Sequence, residues 1–275
     1  MAVLPPKFCD PDPGASPDAP VALVLPAMGV PAGAYRHLAT TMAALGNPVA
    51  VVEWRGTGAS PLRAGRSHDW GYLELLEQET LGGLAAAIAR WPARPLVMVG
   101  HSLGGHIAMM AHALKAPGLA AVLLVAAGTP HHRAFSLPIQ RKLRTVMLLH
   151  KLLSPLVGHY PGQRLGFGGR QPRKLITEWS EFASTGRIKL AGRDPFAARS
   201  PAVAQIPVRA LVLAQDIYAP RATAAELLRL AGLGDAGING YDGPGPTGHF
   251  DWLKEPLHLA QRITAEMTEL VQHRG

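Results

Sequence analysis

Short apolar runs alternate with helical patterns along most of the chain. The β-branched runs at 21–25, 49–53, 96–99, 120–126 and 208–214 predict buried strands. Apolar residues at helix-like spacing predict helices at 34–45, 72–91, 104–114, 141–156, 173–182 and 253–272. This alternation predicts an α/β fold with a mostly parallel sheet and helices on both faces.

The regular alternation is interrupted between the fourth and fifth predicted strands. About 80 residues there contain two predicted helices and no strand, and a connection that long is seldom structureless in a compact fold. We therefore predict a helical cap inserted at 130–200, with 21–129 and 201–275 forming the core. The Pro-rich and Asp-rich residues 1–20 predict an irregular N-terminal arm.

Composition narrows the class of protein. The chain has 275 residues, is 48% hydrophobic and contains one cysteine, Cys9. A disulfide framework and a multi-cysteine metal site are therefore excluded, and a reducing compartment is favoured. The longest uncharged apolar run, 19–35, is broken by prolines and glycines, so no transmembrane segment is predicted. No secretory signal is apparent either, and we expect a cytoplasmic location.

The positive charge is concentrated in the predicted cap. The whole chain carries a formal charge of +8, whereas 131–200 alone has 13 Lys and Arg against three acids. The favoured interpretation is a cap with a solvated basic side and an apolar side over the site. An anionic substrate or a lipid surface is the alternative, with the leucines of 148–156 as its apolar face. Nucleic-acid binding is disfavoured because no recognisable module is present.

One motif carries specific chemistry. Gly100-His101-Ser102-Leu103-Gly104 is G-x-S-x-G, and it lies between a predicted strand and a predicted helix. Side chains two residues before and after the serine would collide in so tight a turn, which accounts for Gly100 and Gly104. Ser102 is therefore a candidate nucleophile, with the backbone N–H of Leu103 facing a developing oxyanion. The alternative is a glycine-rich turn with an incidental serine.

Together with two further segments, this motif resembles the α/β-hydrolase superfamily over about 21–272. Residues 55–60, RGTGAS, are similar to the R-G-x-G-x-S turn of many members, and 26–29, PAMG, stand where members often have His-Gly-x-Gly. Segments 26–31 and 158–166 also resemble a bacterial subgroup of predicted hydrolases. The resemblance implies a catalytic order of Ser, then acid, then His.

The remaining site residues follow from that resemblance. His249 lies in the loop before the last predicted helix, where the superfamily has its catalytic histidine, and Asp216 follows the last predicted strand, as the acid does. Asp242 and Asp251 are alternative acids. The oxyanion hole would use the backbone N–H groups of Met28 and Leu103.

These residues predict a serine hydrolase that cleaves a carboxylic ester of a small acyl substrate, and that substrate could be anionic or lipid-like. Thioester or amide hydrolysis and acyl transfer are alternatives with the same triad, and a non-catalytic binding protein is a third class. Dehalogenase and epoxide-hydrolase chemistry is disfavoured because both normally need a carboxylate at the place of Ser102. We expect no cofactor and no metal; His131-His132 has no supporting metal-ligand motif. The oligomeric state is left open.

Overall fold

The computed structural model describes residues 3–197 and 206–272. Its strands are β1 (Lys7–Cys9), β2 (Val21–Leu25), β3 (Val49–Val51), β4 (Leu96–His101), β5 (Leu119–Val125), β6 (Tyr160–Pro161), β7 (Arg170–Gln171), β8 (Val208–Leu213) and β9 (Ile238–Tyr241). Within these residues, seven strands form one sheet in the order β1-β3-β2-β4-β5-β8-β9. All its pairs are parallel except β1 with β3. The predicted α/β class with a mostly parallel sheet is confirmed.

Helices connect the strands and cover the sheet. They are α1 (Arg36–Ala44), α2 (Tyr72–Glu74), α3 (Leu81–Arg90), α4 (Leu103–Ala113), α5 (Leu137–Val157), α6 (Gly162–Leu165), α7 (Arg173–Thr185), α8 (Arg221–Leu230) and α9 (Leu257–Gln272). A π-helical segment, Leu75–Thr80, joins α2 to α3. Single 3-10 turns lie at Ala32–Tyr35, His132–Ala134, Asp235–Gly237 and Asp251–Leu253. None of the described helices is long and apolar enough to cross a membrane.

The central strands are buried on both faces, as the continuous apolar runs predicted. Along β2, Ala22 and Val24 join one hydrophobic cluster while Leu23 and Leu25 join the other, because successive strand side chains point to opposite faces. Helices α1 and α9 pack on the first face. Helices α3, α4 and α8 pack on the second, together with α5 and α7.

The segment between β5 and β8 lies over that second face. Helices α5 and α7 pack against each other, and Val146, Trp179 and Phe182 from them belong to the same buried cluster as the sheet residues beneath. The antiparallel pair β6–β7 lies between these helices in the chain. The boundary predicted between cap and core at 200/201 lies outside the described residues.

Some elements differ from those predicted. Strand β1 falls inside the predicted irregular arm, where it pairs along the edge strand β3. Three residues are too few to show an alternation in the sequence. Strand β9 and helix α8 were not predicted either; β9 contains Asn239 and Gly240, which are both unfavourable in strands. Parallel hydrogen bonds with β8 stabilise β9 as a strand although two of its residues have low strand propensity.

Candidate active site

The turn from β4 to α4 holds Ser102 in a conformation that few residues adopt. Ser102 has φ 53° and ψ −115°, and α4 begins at the next residue. The turn can form only because its neighbours lack side chains. A Cβ on Gly104 would lie 2.0 Å from the carbonyl oxygen of Leu25, and one on Gly100 would lie 2.6 Å from Cα of Gly105. Ser102 is therefore raised at the carboxyl end of the central strand.

Two side chains predicted to act with Ser102 are brought to it from distant parts of the chain. The hydroxyl of Ser102 is 3.0 Å from Nε2 of His249, and Nδ1 of His249 is 2.7 Å from Oδ2 of Asp216. The other carboxylate oxygen of Asp216 accepts the backbone N–H groups of Tyr218 and Ala219 at 2.8 and 3.0 Å. Because Nδ1–H of the histidine donates to the carboxylate, Nε2 is left to accept the serine proton.

The two alternative acids lie elsewhere. Asp242 is exposed, and the carboxylate of Asp251 is 3.5 Å from the ammonium group of Lys254. Asp216, in contrast, is buried where β8 ends. Within the described part of the chain, Asp216 is the carboxylate that contacts His249.

The two residues predicted to form the oxyanion hole lie beside Ser102. Met28 and Leu103 line the same cavity as the serine. Over 3–197 and 206–272, the backbone hydrogen bonds of turns, loops and caps include none donated by either N–H. The loop 166–169 packs onto the Met28 turn so closely that a Cβ on Gly29 would lie 2.3 Å from the carbonyl oxygen of Gly168. The oxyanion hole remains a prediction that this placement supports.

The cavity above Ser102 is small and neutral, with a volume of about 150 Å³. Residues from the segment between β5 and β8 form much of its wall. Those from the predicted cap, 130–200, are Pro130, Phe135, Leu143, Gly166, Phe167, Gly168 and Trp179. The core side of the wall adds the rings of Tyr218 and Phe250. Lys142 of α5 donates to the Tyr218 hydroxyl at 2.6 Å and so joins α5 to the rim.

A buried chain of hydrogen bonds links three segments around Ser102. The backbone N–H of Ala27 donates to the hydroxyl of Tyr35 at 2.8 Å, and that hydroxyl donates to Nδ1 of His101 at 2.7 Å. Nε2–H of His101 then donates to the carbonyl oxygen of His249 at 3.0 Å. Burial lowers the pKa of His101 well below its ordinary value, so its imidazole is neutral and serves as acceptor and donor at once.

His106 plays a similar role on the other side of the cavity. It accepts a hydrogen bond from the hydroxyl of Tyr72 at 3.0 Å and donates to the carbonyl oxygen of Gly128 at 2.8 Å. Burial lowers the pKa of His106 to about 4. Sequence reasoning missed Tyr35, Tyr72 and His106, because their partners are brought together only by the fold. His106 follows the motif within one helical turn, which is the one sequence signal for it.

The two histidines considered as metal ligands, His131 and His132, form contacts with other protein groups. His131 is paired with Glu226 at 2.7 Å, and Nδ1 of His132 donates to the carbonyl oxygen of Ala183 at 3.1 Å. Among the residues that the structure describes, no cluster of three or more His, Cys, Asp or Glu could hold a metal ion.

Comparison with known proteins assigns the chain to a family. The profile of the family described as serine aminopeptidase, S33, matches residues 16–224, more than half of the chain. The chain belongs to this family. It is therefore a hydrolase of the α/β-hydrolase superfamily, as the sequence motifs indicated. No curated protein matches the sequence significantly.

Several solved structures share the fold. A monoacylglycerol lipase from Paleococcus ferrophilus is 20% identical, with a TM-score of 0.58 over 98% of this chain and 100% of that one. The esterase EaEST from Exiguobacterium antarcticum is 14% identical, with a TM-score of 0.56 over 95% and 94%. A thioesterase domain from the curacin biosynthetic pathway is 16% identical, with a TM-score of 0.53 over 98% and 100%. At these identities the likeness concerns the fold alone.

The close contacts of the serine turn predict that Gly104→Ala is severely destabilising. Its Cβ would meet backbone at 2.0 Å, whereas a Cβ added to Gly82, which is exposed in α3, would have nothing within 4 Å. We expect Gly104→Ala to lose about 3 kcal/mol or more of unfolding free energy. Gly82→Ala should gain about 0.5–1 kcal/mol through helix propensity. Urea unfolding measures both, and equal midpoints for the two variants would refute the role of the close contact.

The hydroxyl of Tyr35 should contribute to stability in a way that another buried tyrosine does not. Tyr35→Phe leaves Ala27 N–H and His101 Nδ1 without a partner, at a cost of about 1–3 kcal/mol of unfolding free energy. Tyr160 is the matched control, since its buried hydroxyl has no partner among the described residues. Thermal unfolding of Tyr35→Phe and Tyr160→Phe provides the comparison, and a loss no larger than that of the control would exclude a stabilising role.

The low pKa of His106 predicts loss of stability in mild acid. In the unfolded chain this histidine takes up a proton near pH 6.5, whereas in the folded protein it does so only near pH 4. Its contribution, about 3 kcal/mol, is thus present above pH 6.5 and is lost as the pH falls towards 4. His101 acts in the same direction. Unfolding free energies across this range should fall less steeply for His106→Gln than for the exposed control His258→Gln; parallel curves would contradict the assignment.

Proposed function

We propose that this hydrolase cleaves a carboxylic ester of a small, neutral acyl group through Ser102, His249 and Asp216. The observation that carries the proposal is the hydrogen-bonded series from Ser102 to His249 to Asp216, at 3.0 and 2.7 Å, at the wall of a cavity. A serine hydroxyl is a weak nucleophile at its ordinary pKa, and this arrangement supplies the base that activates it.

The chemistry follows from these positions. His249 Nε2 takes the proton as the Ser102 oxygen attacks the acyl carbonyl, and Asp216 stabilises the imidazolium that forms. The backbone N–H groups of Met28 and Leu103 stabilise the oxyanion of the tetrahedral intermediate. The intermediate collapses to an acyl-enzyme as His249 returns the proton to the departing alcohol. Water, deprotonated by the same histidine, then releases the acid. Every step uses groups of the chain and water alone.

The cavity wall favours an uncharged acyl group. Its side chains are apolar or neutral, with Phe135, Leu143, Phe167 and Trp179 facing the space above the serine. A charged acyl group would lose its hydration there without an opposite charge in the wall, because the Lys142 ammonium stays at the rim, bonded to the Tyr218 hydroxyl. This favours a neutral substrate over the anionic one considered from the charge of the cap. The neutral wall also favours an ester over the substrate of an aminopeptidase. The terminal ammonium group of such a peptide would need a carboxylate partner, and the described residues of the wall supply none.

The same residues support the proposal that 130–200 acts as a cap. Helices α5 and α7 and the loop 166–169 supply the outer wall of the cavity. A substrate therefore meets Ser102 between the cap and the carboxyl ends of β4, β5 and β8. The volume of about 150 Å³ suits an acyl group of a few carbons or one aromatic ring better than a long chain.

Thioester and amide hydrolysis and acyl transfer would use the same groups, and a non-catalytic binding protein would retain them without reaction. The structures with this fold include a monoacylglycerol lipase, an esterase and a thioesterase domain, so the fold is compatible with both ester and thioester hydrolysis. Hydrolysis rates for matched oxygen and sulfur esters of one acyl group distinguish ester hydrolysis from thioester hydrolysis. Product analysis with an added alcohol or amine distinguishes hydrolysis from transfer.

The test is labelling with a fluorophosphonate probe followed by intact-mass analysis. We expect one adduct on the wild type and on the control Ser184→Ala, whose serine lies exposed on α7, and none on Ser102→Ala. Hydrolysis of p-nitrophenyl acetate and butyrate should exceed that of the palmitate, and Ser102→Ala should lower kcat by about 10⁴-fold or more. Absence of an adduct on the folded wild type, or an unchanged rate in Ser102→Ala, would overturn the proposal.

A further inference from the structure

Helix α5 turns a row of leucines towards solvent. Leu148, Leu152 and Leu156 follow one another at intervals of four residues, so they share one face. Their exposed fractions are 57%, 57% and 67%. The row extends about 12 Å along the helix. Large apolar side chains that are exposed singly are common, but a continuous row on one face marks a contact surface.

The opposite face of the same helix is already engaged. Leu143 and Val146 are buried in the cluster over the sheet, and Leu143 also lines the cavity above Ser102. Packing of α5 therefore accounts for its inner face only. Leu148 also lines a shallow groove between α5 and α7, but more than half of each outer leucine remains exposed and free to contact a partner outside the chain.

Basic side chains flank the exposed row. Arg144 and Lys151 lie beside Leu148 and Leu152, and Arg141 precedes them on the same face; all three are exposed. Within the described residues, none of these three cations forms an ion pair. Asp69 and Glu181, which line the same groove as Arg144 and Lys151, pair instead with Arg173 and Lys189. The 21 residues of α5 include no Asp or Glu. We call the surface formed by these six residues the basic leucine face.

We infer that the basic leucine face binds an anionic phospholipid bilayer, lying at its surface. Leucines on one face of a helix can enter the headgroup boundary while flanking Lys and Arg contact lipid phosphates. The charge complementarity decides among the candidate partners. A second copy would bring the same cations opposite one another, and a nucleic acid would leave the leucine row without an apolar partner.

This inference is independent of the proposed reaction. It concerns the outer face of α5, whereas Ser102 lies beneath the inner face. Docking would nevertheless bring the cavity wall close to the membrane, because Leu143 on the same helix faces the cavity. Ser102→Ala should bind vesicles as the wild type does, so failure of either proposal can be recognised separately.

The test is co-sedimentation with vesicles of one part phosphatidylglycerol to two parts phosphatidylcholine. We expect the wild type to sediment with them at low ionic strength, and to be released as salt increases. Leu148→Ser/Leu152→Ser should lower the partition coefficient about tenfold or more, since two apolar side chains no longer enter the boundary. Leu114→Ser/Leu257→Ser is the matched control, because these leucines are similarly exposed, at 53% and 50%, on other elements.

Charge is tested with a second pair of variants. Arg144→Gln/Lys151→Gln should weaken binding to the anionic vesicles, whereas Arg36→Gln/Lys115→Gln, which removes the same charge from exposed positions elsewhere, should not. Vesicles of phosphatidylcholine alone should bind less than the anionic ones. The sites of all four variants are exposed, so far-ultraviolet circular dichroism and thermal unfolding should show that each variant remains folded.

Three results would overturn the inference. The first is no sedimentation of folded wild type with anionic vesicles, or equal loss in the variants and their controls. The second is a dimer in light scattering that the leucine variant abolishes, which would make a second copy the partner. The third is binding to an oligonucleotide that the charge variant abolishes and the leucine variant leaves unchanged.

Discussion

The turn that carries Ser102 is the constraint on which the rest of the site depends. Ser102 has a left-handed backbone conformation, and the helix after it lies very close to the neighbouring strand. This close approach is possible only because Gly104 has no side chain. The same approach places the serine hydroxyl and the N-terminus of α4 at one edge of the sheet. In a parallel sheet this is the edge where the loops after β2, β8 and β9 also emerge, and these loops carry Met28, Asp216 and His249.

Hydrogen bonds between neutral buried polar groups hold those loops in fixed positions relative to one another. Tyr35 and His101 connect the backbone of the Met28 turn with the backbone of the His249 loop, and Trp252 donates a second hydrogen bond to the same carbonyl oxygen of His249. Such groups are costly to bury unless each donor and acceptor is paired. Here the pairing requires a single tautomer of His101, and burial lowers the pKa of His101 so that the neutral imidazole providing it is favoured.

The segment between β5 and β8 has two sides that differ in polarity and charge. Its inner side is apolar and neutral, and it forms the cavity wall through Leu143, Phe167 and Trp179. Its outer side bears the cations that make this part of the chain strongly basic. Net charge alone would suggest an anionic substrate. The side chains of the segment point in two directions. The outward-facing cations affect which partners bind α5, whereas the inward-facing neutral side chains affect which substrates reach Ser102.

The sequence alone determined the α/β class, the parallel sheet and the position of the serine turn, since all three follow from local patterns: apolar runs, helical spacing and glycines two residues either side of Ser102. The resemblance to a superfamily supplied His249 and Asp216 as candidates, and the sequence left Asp242 and Asp251 open beside Asp216. Only the tertiary structure brought Asp216 to His249. It alone revealed β1 and β9, which are strands through pairing rather than propensity, and the partners of Tyr35 and His106. These depend on contacts between residues far apart in the chain, and no local pattern records such contacts.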